Sequence, residues 1–561
     1  MTRDLRPGRA AAAIACLVAT STAAFAAAAN RSLGADPAAS CGALSSAAAG
    51  ALSIETAALV DAKPLAVAEK GPTPASRISP ATPTFCRVLG HIEPNDPKAP
   101  PIRFQVNLPL QWNGRSVQYG GGGFNGVLIT GVGLPPAAPF DGPSPLARGF
   151  VTYGTDSGHE SKPGEPPQLF AANDEAFVNF AHVAYKKVRD AAVVVIERAY
   201  GIKPEKIYYM GSSEGGREGL TMAQRYPDDF DGIFARVPVI NWTGLQHAGT
   251  RAGLATMGDG WLRPAQVKLV HDAVLAACDA QDGVADGLVE DAAGCKARFD
   301  PATLLCAADA GAGGDQCLSQ AQVDAVRTLH APYRFPFPLA NGITEYPGWG
   351  VSGEAAPSYG PTGGWSAWWL GSAPPALPPQ PRNGIAWVFG AGGIQHIFTQ
   401  DPNFDVRKYD PADFKARVRE VSELMDSTNP DLTAFKAHGG KLIILEHMSD
   451  YAQSPYAGIG YFQQVQQQMG EGDVADFLRL YTAPGVDHVG SGGPSNVDVL
   501  SVLVDWVENG GAPNDLVVVE QQAALPIKTD RALPLCQWPY WPHYKAGDPK
   551  TATSFVCAHL P

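Results

Sequence analysis

The sequence predicts an α/β fold, a mainly parallel sheet with flanking helices, interrupted by a large insertion. Three observations carry that prediction. Short apolar, β-prone runs alternate with a long helical pattern between about residues 102 and 240. The alternation dissolves over about 241–430 and resumes with "GGKLIILEHMSD" at 439–450. A turn of small residues, "GSSEGGR" at 211–217, stands between a strand-like run and a helix-like one. A strand-to-helix turn of this kind can thrust a reactive side chain above a sheet.

Taken in order, the chain opens with Arg3, Arg6 and Arg9, an Ala-rich apolar run and Ala24-Phe25-Ala26. This reads as a secretory signal over 1–26, and the expected location is secreted or periplasmic. Cys16 lies inside it. The remaining eight cysteines (41, 86, 278, 295, 306, 317, 536 and 557) read as disulfides in an exported protein. Spacing does not fix their connectivity; pairing of sequence neighbours is the simplest arrangement.

Residues 27–85, rich in Ala, Ser and Pro, are expected to wrap the surface. Strands are expected in "IRFQVNLPLQW" (102–112), "SVQYG" (116–120) and "GFVTYGTDSG" (149–158). Apolar residues at helical spacing over 175–201 end at Gly201, a natural stop. "KIYYMG", "DGIFARVPV" and "LRLYTAPGVDH" give further strands, and 497–510 a final amphipathic helix. The expected organisation is a core over 27–240 and 431–561, with a lid domain inserted at 241–430. With 561 residues the chain is long enough for this plan. The formal net charge of −13 argues against nucleic-acid binding, and no later segment reads as transmembrane.

The turn contains two serines. In the pattern G-x-S-x-G the glycines relieve crowding where the backbone is strained. Gly211, Ser213 and Gly215 fit it; a pattern centred on Ser212 would need glycine at Met210 and Glu214. Ser213 is therefore the candidate nucleophile. Such an elbow expects an acid and then a histidine at later strand ends. Asp450 and His488 follow in that order, while His159 precedes the serine and His447 is too near Asp450 in sequence. The proposed oxyanion donors are the amides of Glu214 and of Gly122 in the "GGGG" loop (120–123), with the Glu214 side chain turned away.

A second motif lies in the insertion. "CDAQDGVADGLVED" (278–291) brings Asp279, Asp282 and Asp286 together with two glycines. Hard cations take carboxylate and carbonyl oxygens from short curled loops, so Ca²⁺ is expected here in a structural role, with carbonyls from Val284 and Leu288. Tryptophans 349, 365, 368, 369 and 387 suit either an aromatic substrate or the insertion's own core.

These residues resemble the tannase and feruloyl esterase family, which also holds bacterial mono(2-hydroxyethyl) terephthalate hydrolase. The resemblance rests on "FCRVLGHIEP" (85–94), "LPLQWNGRSVQYGGGGFNG", "YGTDSGH", "GSSEGGREGLTMAQRYPDDFDGI", the acidic loop, "DPNFD" (401–405), "NPDLTAFKAHGGKLI" and "PGVDHVGSGGP". It implies an α/β-hydrolase core with an inserted lid, and hydrolysis of small-molecule esters of aromatic carboxylic acids of feruloyl, galloyl or terephthaloyl type. It places the catalytic triad at Ser213, Asp450 and His488, and calcium at Asp279, Asp282, Val284, Asp286 and Leu288. One departure stands out. The family usually joins a Cys before the nucleophile to a Cys after the histidine, and here those positions are Ser212 and Val489. Packing alone is then expected to hold the triad. A peptidase or lipase on the same core, and a non-catalytic binding protein, are the competing readings.

Overall fold

The computed structural model describes residues 31–46, 51–307, 314–358 and 363–559; the signal segment expected at 1–26 lies outside them. Its centre is an eleven-stranded sheet. In chain order the strands are β1 (Leu52–Val60), β2 (Phe85–Ile92), β3 (Ile102–Pro109), β4 (Arg115–Tyr119), β5 (Val151–Thr155), β6 (Lys206–Ser212), β7 (Gly232–Arg236), β8 (Lys441–His447), β9 (Leu478–Ala483), β10 (Leu516–Gln522) and β11 (Lys528–Gln537). Across the sheet they run β10-β11-β9-β8-β7-β6-β4-β5-β3-β2-β1. The run from β5 to β9 is parallel, and both flanks are antiparallel.

The parallel strands are apolar on both faces because both faces are covered. Ile207 and Tyr209 of β6 join a core with Leu220 and Met222. Tyr208 and Met210 point the other way, into a core with Leu500, Leu503 and Trp506 of the terminal helix Val499–Asn509. Each such fully buried side chain contributes roughly 1.5–3 kcal/mol relative to exposure. The helical pattern over 175–201 forms Asp174–Val178, one π turn at Asn179–Val183, and α1 (Ala184–Tyr200), closed by Gly201 at φ 76°.

The N-terminal stretch departs from expectation. Residues 52–60 do not merely wrap the surface: they form the edge strand β1, paired along its length with β2. The Cys41–Cys86 bridge ties the preceding segment to β2. The alternation of half-buried residues in β1 is diluted by Ala and Thr, which hid it in the sequence.

Between β7 and β8 lies a long, mainly helical segment whose apolar residues form two hydrophobic cores, one shared with Phe124, Phe177 and Phe180 and the other with Tyr451 and Ala452. Trp349, Trp365, Trp369 and Trp387 are buried in these cores, so of the five tryptophans considered above, four are structural. Two disulfides, Cys278–Cys295 and Cys306–Cys317, close short loops in this segment. With Cys41–Cys86 and Cys536–Cys557, all four bridges join sequence neighbours. No helix among the described residues is long and apolar enough to cross a membrane.

Candidate active site

Ser213 sits on the turn between β6 and the helix α2 (Glu214–Arg225), at φ 60° and ψ −121°. This conformation is costly for a residue with a Cβ, and it is held from several sides. The Ser213 amide donates to the Arg236 carbonyl at 2.9 Å, while its own carbonyl accepts from the amides of Gly216 and Arg217. The two motif glycines are required by close backbone approach. A Cβ on Gly211 would meet the Gly215 carbonyl oxygen at 2.1 Å, and one on Gly215 would meet the Gly121 oxygen at 2.7 Å.

Three side chains from distant strand ends meet here. His488 Nε2 lies 2.9 Å from Ser213 Oγ, and His488 Nδ1 lies 2.7 Å from Asp450 Oδ2. His488 is 7 % exposed and Asp450 2 %. The other Asp450 oxygen accepts from the amides of Ala452 and Gln453, and the Gln453 side chain reaches Oδ2 at 3.4 Å. The carboxylate therefore has one rotamer that serves all its donors. Asp487 anchors the histidine loop: its Oδ1 accepts from the amides of Val489 and Ser491, and its Oδ2 from the hydroxyl of Ser358. His447 is bonded to the Asp487 carbonyl and His159 to the Phe124 carbonyl, so both serve the loops.

The Glu214 carboxylate is turned away from the cleft onto the buried guanidinium of Arg217, 2.7 Å from its Nε. Burial outweighs that attraction and raises the Glu214 carboxyl to about 7. The glycine loop is held by Glu218, which accepts from the Gly121 amide, the Asn125 amide group and the Tyr209 hydroxyl. The Gly122 amide donates to Asn125 Oδ1 at 2.5 Å, so it reaches a substrate only by releasing that bond. Gly122 and Gly123 both border the cleft.

The cleft above Ser213 encloses about 350 Å³. Phe124, Trp242, Leu245, Trp368, Ile385 and Phe389 give it apolar walls. Trp368, the fifth tryptophan, lies with its ring 5.9 Å from both Phe389 and His488. Among the described residues that line the cleft the ionisable ones are His488 and Glu214, whose carboxylate is bonded to Arg217.

The acidic loop is curled by its own side chains. Asp279 accepts from the amides of Asp286 and Gly287, Asp282 from Val284, and Asp286 from Leu288. The second oxygens of Asp282 and Asp286, and both oxygens of Glu290, are buried without a hydrogen-bond partner. Burial raises Asp282 to about 6 and also raises Asp286 and Glu290. Asp286 Oδ2 faces the Arg531 guanidinium at 3.8 Å; Asp282 and Glu290 have no such partner among the described residues, and a donor set of carboxylate and carbonyl oxygens fits a hard cation. Among the described residues no three His, Cys, Asp or Glu side chains converge as a metal cluster. Leu288 packs where a Cβ on Gly485 would sit, linking this loop to the chain just before His488.

Sequence reasoning missed Glu218, Arg236, Gln453 and Glu290. Glu290 stood in view at the end of the acidic run. Glu218 and Arg236 support residues that are remote in sequence, which no local pattern reveals, and Gln453 lies three residues past Asp450 in a turn without periodicity.

A parallel sheet with a strained serine turn and an inserted helical segment defines an α/β hydrolase, and the comparisons give its chemistry. The profile for tannase and feruloyl esterase matches residues 86–558, so the chain belongs to that family and is a carboxylic ester hydrolase. An uncharacterized esterase of Agrobacterium fabrum is 36 % identical over 491 residues, covering 84 % of this chain and 85 % of that protein. The mono(2-hydroxyethyl) terephthalate hydrolase of Piscinibacter sakaiensis is 32 % identical over 539 residues, covering 87 % of each. In fold, the feruloyl esterase B of Aspergillus oryzae superposes with a TM-score of 0.75 at 22 % identity, over 92 % of this chain and 99 % of its own.

Proposed function

We propose that the protein is an exported serine esterase that cleaves esters of uncharged aromatic acids through an acyl-enzyme. The observation that carries this reading is the unbroken hydrogen-bond chain from Asp450 through His488 to Ser213. In the forward step Ser213 Oγ attacks the ester carbonyl carbon and its proton passes to His488 Nε2. Asp450 keeps the opposite nitrogen protonated and stabilises the imidazolium. The carbonyl oxygen, now negative, takes the Glu214 amide at the start of α2 and an amide of the 122–123 turn. Collapse expels the alcohol, which takes the proton from His488. Water then repeats the sequence with the roles reversed and frees the acid.

The acyl group is assigned from the cleft. Its aromatic walls suit a planar ring, and the relatives include a terephthalate monoester hydrolase and a probable feruloyl esterase. A terephthaloyl group carries a free carboxylate, and among the described residues that line the cleft there is no Lys or Arg to receive it. Burying that charge unpaired is costly, so neutral hydroxycinnamoyl or galloyl esters are the preferred class.

Ca²⁺ is assigned a structural role, held by Asp279, Asp282 and Asp286, the carbonyls of Val284 and Leu288, and Glu290 in addition. It would neutralise the acidic loop that packs, through Leu288, against the histidine loop. Four disulfides and the N-terminal signal pattern support export.

A panel of methyl hydroxycinnamate, methyl gallate, a terephthalate monoester, a peptide and a triglyceride tests the reading. The hydroxycinnamate or gallate ester should give the highest kcat/KM. Cleavage of the peptide or triglyceride alone would defeat it. A fluorophosphonate should label the protein but not Ser213→Ala; absence of labelling favours a binding protein.

A further inference from the structure

The histidine loop and the serine elbow have no covalent link, yet one side chain touches both. Arg236 ends β7 and pairs in register with Ser212 at the end of β6. Its carbonyl accepts from the Ser213 amide, and its Nε donates to Ser212 Oγ at 2.9 Å. The same guanidinium also reaches the histidine loop. Its Nη1 lies 3.3 Å from where a Cβ on Gly490 would stand, two residues past His488. Gly490, at φ 91°, is the residue that lets the loop come so close. The carboxylates of Asp487 and Asp450 attract this cation through space, without an ion-pair contact within 4 Å, and the nearby buried imidazole of His447 is neutral.

The neighbours make this arrangement specific. A long cation at a parallel strand end costs desolvation free energy unless something gains from it. What gains here is the alignment of two separate segments. Asp487 already fixes the loop through the Val489 and Ser491 amides, and Arg236 supplies the opposite charge on the elbow side. We propose that Arg236 is a positioning residue that fastens the Ser213 elbow to the His488 loop by a hydrogen bond to Ser212 and by attraction to Asp487 and Asp450. It thus bridges the neighbourhood of residues 212 and 489, where this chain has no cysteines. The inference rests on the triad reading above and extends it to the groups that keep Nε2 and Oγ in register. Packing alone, the expectation from sequence, does not describe the site.

The test uses the whole protein with Arg236→Met, Arg236→Lys, Ser212→Ala and the double variant Arg236→Met/Ser212→Ala. Activity on methyl hydroxycinnamate is measured well below each melting temperature. Arg236→Met should lower kcat about tenfold or more with KM changed less than about threefold, since alignment in the transition state is lost and binding is not. The rate of fluorophosphonate labelling should fall in parallel. Arg236→Lys, which keeps the charge, should recover part of the loss. Ser212→Ala should cost less than Arg236→Met, and the double variant should lie within about twofold of Arg236→Met, because both act through one bond. A kcat within about twofold of wild type in folded Arg236→Met, or losses that multiply in the double variant, overturns the proposal. If Arg236→Met does not fold, unchanged kcat in both Arg236→Lys and Ser212→Ala overturns it equally. Ser213→Ala is the control: activity surviving there sinks the triad reading itself, whereas a dead Ser213→Ala beside a fully active Arg236→Met sinks only the role of Arg236.

Discussion

The insertion and the triad solve the same problem by different means. In the segment between β7 and β8, loops rich in Ala, Asp and Gly are fastened by Cys278–Cys295 and Cys306–Cys317, and one of them carries an acidic run suited to a cation. At the triad no covalent link is present; Asp487, Gln453, Glu218 and Arg236 hold the loops with hydrogen bonds and charge. The difference is one of purpose. A loop-rich segment needs its unfolded ensemble restricted, which a disulfide does well. A triad needs an imidazole held between two partners to within a few tenths of an ångström, and several convergent hydrogen bonds define that geometry.

Substitutions can break this contrast at either end. The largest effect is expected at the centre. Ser213→Ala should lower kcat by about 10⁴–10⁶ with the melting temperature nearly unchanged, and His488→Ala should not add to it, because the members act as a unit. Asp450→Asn should cost about 10³–10⁴ in kcat, since the amide can hold the wrong tautomer of His488. Glu218→Ala should cost about 10–100-fold in kcat by freeing the 120–123 loop, with a smaller change in KM. All four are read by steady-state kinetics beside circular dichroism.

The periphery should respond in the opposite sense. Replacing Cys278 and Cys295 by serine should remove about 2–4 kcal/mol of stability, seen in denaturant unfolding, while kcat at low temperature stays near wild type. Chelation of Ca²⁺ should lower the melting temperature by a few degrees, and Asp286→Asn should abolish that response. An unchanged melting temperature together with no bound metal rejects the assignment. Should removal of the bridge instead cost kcat as severely as Ser213→Ala, the division between scaffold and centre would be wrong.

Much of this was legible in the sequence because it is local. Apolar strands buried on both faces leave continuous runs such as "KLIIL", and a strained elbow demands Gly211 and Gly215 within four residues of each other. The edge strand 52–60 was missed because its alternation is weak, and Trp368 could not be told from its four buried neighbours because position in a cleft leaves no periodic mark.

The sequence by itself determined the parallel core and the nucleophile candidate, since backbone sterics and burial act between near neighbours in the chain, and its motifs carried the family resemblance. Only the tertiary structure decided what holds the centre. Arg236 and Ser212 are 24 residues apart, and Ser213 and His488 are 275 apart. Hydrogen bonds and charges act through space, so which residues share them depends on how the strands are ordered in the sheet.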